Sequence, residues 1–204
     1  MNATYTKNGD SFREFEGDFY RVNDKGTGLN ETILKRSLDQ LSAMKAHHSK
    51  LLIYMFIPLP SKSVSDNKIM SQFVEKLNRE LARIYNINRV AYLWVSEVSN
   101  RGNAHYHFCL IINAHKAQSY TNLKSIVVNT WLKVGGQKWE LQDGKQLRPL
   151  GIMKNDIYKL KRNDKDMLEE IIYRLSYFAK NNTKAIGKGR TFGVSRIKPP
   201  CKKS

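Results

Sequence analysis

Three residues within one short stretch have the types and spacing to hold a metal ion. His105 and His107 flank Tyr106, and Glu97 lies eight residues before His105. In an extended chain, a period of two points both imidazoles to one face. A turn near Arg101-Gly102 would bring Glu97 opposite the pair. Two neutral imidazoles and a carboxylate suit a catalytic divalent ion that keeps coordination positions open. On spacing alone, a sheet face that merely carries two half-exposed histidines is an equal reading. His47, His48 and His115 are the remaining imidazoles and stand as alternative ligands. The adjacent pair His47-His48 reads more simply as a cationic cap on a helix dipole.

A second group lies in the run YRLSYFAK. Placed on a helix at 100° per residue, Tyr173, Tyr177 and Lys180 fall within about 60° of one another. Leu168, Ile171, Leu175 and Phe178 form the ordinary core face on the other side. Snorkelling aromatics on a half-exposed helix would explain the tyrosines without chemistry. Their company, a candidate metal site in a basic chain, favours a chemical role. Tyrosine ionises near pH 10, so about one part in a thousand is phenolate at neutral pH. A tyrosine nucleophile therefore needs activation and a polarised electrophile, and Lys180 is placed to stabilise developing negative charge.

A third segment, GKGRTFGVSR, joins glycines to Lys188, Arg190 and Arg196, a composition suited to phosphate contact. Arg101, in the turn between Glu97 and His105, is a further candidate DNA-binding residue. A Gly-kinked edge strand with solvated charges is the plain alternative for this segment. Tyr106 could stack on a base, although packing on the opposite sheet face is the more ordinary fate of such a residue.

The elements that must position these groups follow from hydrophobic patterning. Asp18 to Val22 reads as a short strand before a Gly26-Thr27-Gly28 turn, with residues 1–16 loosely held. Ile33, Leu34, Leu38, Leu41 and Met44 mark a helix from Glu31 to about Ala46, capped by Asn30. Leu51 to Leu59 reads as the first core strand. A long amphipathic helix from Asp66 to Tyr85, capped by Ser65, precedes the VAYLWVSEV and HYHFCLIIN strands. A helix over about 119–134 stops at Gly135-Gly136, and either 151–155 or 157–160 adds a strand. A last helix spans about Lys165 to Asn181, then a strand runs from Arg190 to Ile197. Residues 198–204 form a basic tail. This order indicates an α+β sandwich with helices packed on a central antiparallel sheet.

At 204 residues, with 41% hydrophobic and 10% aromatic content, the chain reads as one globular domain. No apolar run approaches membrane-spanning length, and the N-terminus lacks a signal-peptide core, so a cytoplasmic protein is expected. Cys109 falls mid-strand and Cys201 in the basic tail, which does not suggest a disulfide. The net charge of +17 calls for a polyanionic partner. The spread of basic residues, with no basic amphipathic helix, points to nucleic acid rather than membrane.

The ordered set EVSNRGNAHYHFCLI, YRLSYFAK and GRTFGVSR resembles the HUH endonuclease superfamily. More narrowly, it is similar to the two-tyrosine rolling-circle replication initiators of filamentous-phage-like phages and prophages. The resemblance covers roughly residues 50–197. It implies a five-stranded antiparallel sheet with the paired histidines on a central strand, and a divalent metal (Mg²⁺ or Mn²⁺). It also implies nicking of single-stranded DNA at a replication origin through a 5′-phosphotyrosine on Tyr177 or Tyr173. Phage rolling-circle replication in a bacterial cytoplasm would be the setting. The chain has no G-x-x-x-x-G-K-[ST] motif, so unwinding would fall to a separate helicase. A single-tyrosine transposase is the near relative that Tyr173 argues against. A repressor-like, non-catalytic nucleic-acid-binding protein is the alternative from another class.

Overall fold

A computed structural model describes residues 4–7, 9–26, 28–58, 60, 67–98, 104–135, 157–181 and 190–201. Two antiparallel sheets and four helices make up these residues. The small sheet has the order β1 (Thr4–Lys7), β2 (Asp10–Phe15), β3 (Asp18–Val22). The large sheet has five strands in the order β7-β4-β6-β5-β8, from β4 (Lys50–Phe56), β5 (Ala91–Val98), β6 (Ala104–Asn113), β7 (Ile157–Lys161) and β8 (Phe192–Val194). Every pairing is antiparallel, and β6, the histidine strand, is central. The α+β architecture expected from the patterning is therefore present.

Each face of the large sheet carries its own helical layer. The helices are α1 (Glu31–His47), α2 (Lys68–Tyr85), α3 (Tyr120–Leu132) and α4 (Lys165–Phe178). Because side chains alternate across a strand, Leu51, Ile53 and Met55 of β4 pack with α1 and α4, alongside Cys109 and Ile111 of β6. Leu52, Tyr54, Phe56, Phe108 and Leu110 turn the other way, against Phe73 and Leu77 of α2 and Trp131 of α3. The near-continuous apolar run of β4 is the signature of a strand buried on both faces.

Three helices begin on side-chain caps. The Asn30, Ser119 and Asp164 side chains accept from the backbone N–H of Ile33, Asn122 and Met167, at 3.1, 3.3 and 3.1 Å. α2 departs from the Ser65 expectation, since Ser65 and Asp66 lie outside the described residues and the helix starts after Asn67. The Asn67 side chain makes no cap bond. Its amide donates to the Arg190 carbonyl, and its carbonyl accepts from the Tyr106 hydroxyl at 3.2 Å.

Residues 4–7 and 9–16 are not a loose tail. β1 and β2 are held by Tyr5 stacked on Phe12, 4.6 Å between ring centroids, and by Phe15 buried in the α1/α4 core. The β2–β3 turn is Glu16-Gly17 with φ of 53° and 86°, the left-handed pair a two-residue hairpin requires. At the other end, the Lys198 carbonyl is tied to His47 Nε2 at 2.8 Å, so the basic tail is anchored at its start. β8 is shorter than expected, three residues rather than the whole of Arg190 to Ile197. The alternative strand at 151–155 lies outside the described residues, whereas 157–161 is β7. No helix among the described residues is long and apolar enough to cross a membrane.

Candidate metal centre

The β5–β6 ladder pairs Val95 with His107 and Glu97 with His105. Residues directly opposite in an antiparallel pair share a sheet face. Leu93, Val95, Cys109 and Ile111 are buried in the α1/α4 core, so Glu97, His105 and His107 continue that face beyond the end of the core. Trp94, Tyr106 and Phe108 point to the α2/α3 side. Tyr106 is buried and edge-on to Trp94, which rules out base stacking on its ring and bears out the packing alternative.

Glu97 Oε2 lies 3.2 Å from His107 Nε2 and 3.6 Å from His105 Nε2. One ligand atom from each of the three residues falls within 4.8 Å of the others. Glu97 is only 8% exposed, and a buried carboxylate is costly unless it is paired or coordinated. Two nitrogens and one oxygen converging near the last pairs of the β5–β6 ladder fit a divalent ion with free positions. Among the described residues, no other group of three His, Cys, Asp or Glu side chains converges in this way.

The other histidines serve elsewhere. His115 Nε2 is 3.1 Å from Ser49 Oγ, and His47 bonds the Lys198 carbonyl. His48 is not the cationic cap expected, because burial and then its neighbours His47, Arg89 and His115 lower its pKa and disfavour the charged ring.

α4 brings its tyrosines to the same side of the sheet. Tyr173 and Tyr177 meet edge to face with centroids 5.8 Å apart. Each has its own cation: Lys180 Nζ lies 4.9 Å from the Tyr177 ring centroid, and the Arg21 guanidinium 4.7 Å from that of Tyr173. Burial raises the Tyr173 pKa, as do the proximity of Tyr177 and a hydrogen bond with it, while Arg21 opposes the shift.

The end of α4 is fixed from both directions. The Asn30 N–H donates to the Ala179 carbonyl at 2.6 Å, and the Asn181 N–H to the Gly28 carbonyl at 3.1 Å. Inside, Ser176 Oγ accepts from the Asn23 N–H at 2.8 Å and donates to the Tyr173 carbonyl at 2.6 Å. Ser176, Asn23 and Arg21 thus hold the tyrosine turn, and none of them carried a signal in the sequence beyond being polar. Of the basic candidates, Arg190 and Arg196 line the β8 edge of the sheet, while Lys188 and Arg101 lie outside the described residues. Cys109 and Cys201 are both free, one buried and one exposed, so the expected absence of a disulfide holds for them.

Residues 14–195 match the YagK/YfjJ C-terminal domain family, and the chain belongs to it. It is also 30% identical over 129 residues to the uncharacterized protein YagK of Escherichia coli (strain K12), covering 58% of this chain and 60% of that one. The chain thus spans about three fifths of the curated relative it matches. No solved structure matches it.

Proposed function

We propose that this protein is an HUH-type tyrosine endonuclease that nicks and rejoins single-stranded DNA at a replication origin. The observation that carries the reading is one shared face. Glu97, His105 and His107 open onto the side of the sheet covered by α4, whose last turn bears Tyr177 and, in the next position, a Phe178 ring packed 5.7 Å from the His107 ring.

A divalent metal held by Glu97, His105 and His107 would polarise a phosphate oxygen and make the phosphorus more electrophilic. The chain's own residues would do the rest. Tyr177 Oη forms a bond to the scissile phosphorus as the bond from phosphorus to the 3′ oxygen breaks. The phenolic proton is lost, the leaving oxygen takes up a proton, and the products are a 5′-phosphotyrosine and a 3′ hydroxyl. Lys180, with Nζ 4.9 Å from the Tyr177 ring centroid, would stabilise the negative charge that develops during the attack. Tyr173 then serves the second transfer, and strand opening falls to a separate helicase.

The test is incubation of the protein with a labelled single-stranded origin oligonucleotide and Mn²⁺, then denaturing electrophoresis. A covalent adduct that requires the metal is expected. Tight DNA binding with no adduct under any metal would favour a repressor-like binding protein instead.

A further inference from the structure

The β8 edge of the large sheet is a cationic groove with no role in metal binding or nucleophilic attack. Two adjoining cavities, of about 750 and 460 Å³, run along it and share Arg190, Val194 and Arg196. Arg79 lines the first, from α2, and Arg36 lines the second, from α1. Four arginines from both helical layers and the C-terminal segment therefore face one edge, and no Asp or Glu lines either cavity. Arg79 has a carboxylate nearby, Glu75 at 3.3 Å on the outer surface of α2. Such a pairing between exposed side chains is weak and yields readily to a polyanion.

The groove's floor is built to stay in place. Gln40 of α1 accepts from Ser195 Oγ at 2.6 Å and from the Ile197 N–H at 2.9 Å, while Ser195 Oγ accepts from the Tyr92 N–H at 3.0 Å. Asn67 holds the Arg190 carbonyl at the other end. Direction matters too. The Ser96 N–H donates to the Thr191 carbonyl at 2.8 Å, so the Arg190 end of the groove lies beside the strand position next to Glu97. From there β8 runs antiparallel to β5 towards Tyr92 and Arg196, away from the metal ligands.

We infer that this groove carries the phosphodiester backbone of the single strand as it passes to or from the metal centre, with Arg36, Arg79, Arg190 and Arg196 on its phosphates. The inference rests on the endonuclease reading above. Flexible single strands can follow a groove that bends around a sheet edge, which a rigid duplex cannot.

The experiment is fluorescence anisotropy with a labelled 20-nucleotide single strand in EDTA, where no cleavage occurs, across a salt series. Two double variants are compared with wild type: Arg79→Ala with Arg196→Ala, and Arg36→Ala with Arg190→Ala. Each lost phosphate contact removes about 0.7 from the log–log salt slope, so each double variant should lose about 1.4. At 0.1 M salt that corresponds to roughly 25-fold weaker binding, about fivefold per contact. Arg→Lys at the same positions should restore most of it, which separates lost charge from lost folding. Arg83→Ala, an exposed arginine paired with Glu80 on α2, should change little. The inference is overturned if both double variants keep the wild-type slope, if Arg83→Ala weakens binding equally, or if a duplex of the same length binds as tightly and is lost in parallel. Failure of the endonuclease reading shows separately, as the absence of a metal-dependent adduct with wild-type protein.

Discussion

Phe178 sets its ring edge-on to the imidazole of His107, centroids 5.7 Å apart, and so joins the last turn of α4 to the central strand of the sheet. The tyrosine helix and the candidate metal ligands are thereby held by direct packing, not through a loop. Four outcomes follow from this arrangement.

Metal binding should stabilise the fold, because ligands gathered in the native state are dispersed in the unfolded chain. At a hundredfold excess over the dissociation constant, Mn²⁺ contributes about 2.7 kcal/mol, or roughly 5–10 °C in Tm for a chain of this size. Replacing both His105 and His107 by Ala should abolish that shift while leaving the metal-free protein folded by circular dichroism. EDTA should return wild type to its metal-free Tm. A shift that survives in the double variant would place the ion elsewhere.

Ser176→Ala tests how the tyrosine turn is held. Ser176 is fully buried, and its hydroxyl is the acceptor for the buried Asn23 N–H. Removing it strands that donor, at a cost of about 1–3 kcal/mol. The urea midpoint should fall accordingly, and adduct yield should fall beyond what the unfolded fraction explains, since the Tyr173 carbonyl loses its partner as well. An unchanged midpoint would mean that the Asn23 N–H finds another acceptor.

The site was more legible in the sequence than its support. His105 and His107 share a face because a strand alternates, and Glu97 registers with His105 because the hairpin between them is short. Both rules are local. Asn30 and the α1 stripe were readable for the same reason. Asn8-Gly9 is as strong a hairpin signal as short sequences offer, yet the polar residues around it suggested a tail. Asp18–Val22 is the strand its pattern indicates, but its partners β1 and β2 are not legible because the apolar residues of the sheet, Tyr5, Phe12, Phe15 and Phe19, are split between two faces, with Tyr5 and Phe19 left exposed. Asn67 shows the opposite failure: it starts a helix as a cap would, but spends its side chain on Tyr106 and Arg190. The Gln40–Ser195 bond joins residues 155 apart, a separation at which one sequence carries no pairing signal.

High pH should destabilise the protein through its tyrosines. Tyr20, Tyr85, Tyr92 and Tyr173 all have raised pKa values, with burial the leading cause in each. In the unfolded chain these phenols titrate near 10. Above that pH the unfolded state has released protons that the folded state keeps, so stability present below pH 10 is lost as the pH rises through the folded values. Urea midpoints measured from pH 8 to 11 should hold steady and then fall. Tyr92→Phe should flatten the fall, because it removes one of the contributing phenols. A midpoint that rises above pH 10 would contradict the assignment.

The two tyrosines should divide the chemistry, with Tyr177 making the first cut. Lys180 Nζ lies 4.9 Å from the Tyr177 ring centroid, a cation beside the place where negative charge develops as Tyr177 attacks. Tyr173 is held the other way, its own pKa raised by burial and by Tyr177 despite the Arg21 guanidinium on its ring. Burial works against ionisation of Tyr173, which makes it the poorer candidate for the first cut. Tyr177→Phe should therefore abolish adduct formation on a single oligonucleotide. Tyr173→Phe should leave that cleavage within about tenfold of wild type, since a single hydrogen bond is worth about 1 kcal/mol, but should block repeated rounds on a circular template. Lys180→Ala should slow the first cut, as the charge developing on the attacking oxygen loses its nearby cation. Mass spectrometry of the wild-type adduct decides the order: nucleotide recovered mainly on Tyr173, with Tyr177→Phe still active, would reverse it.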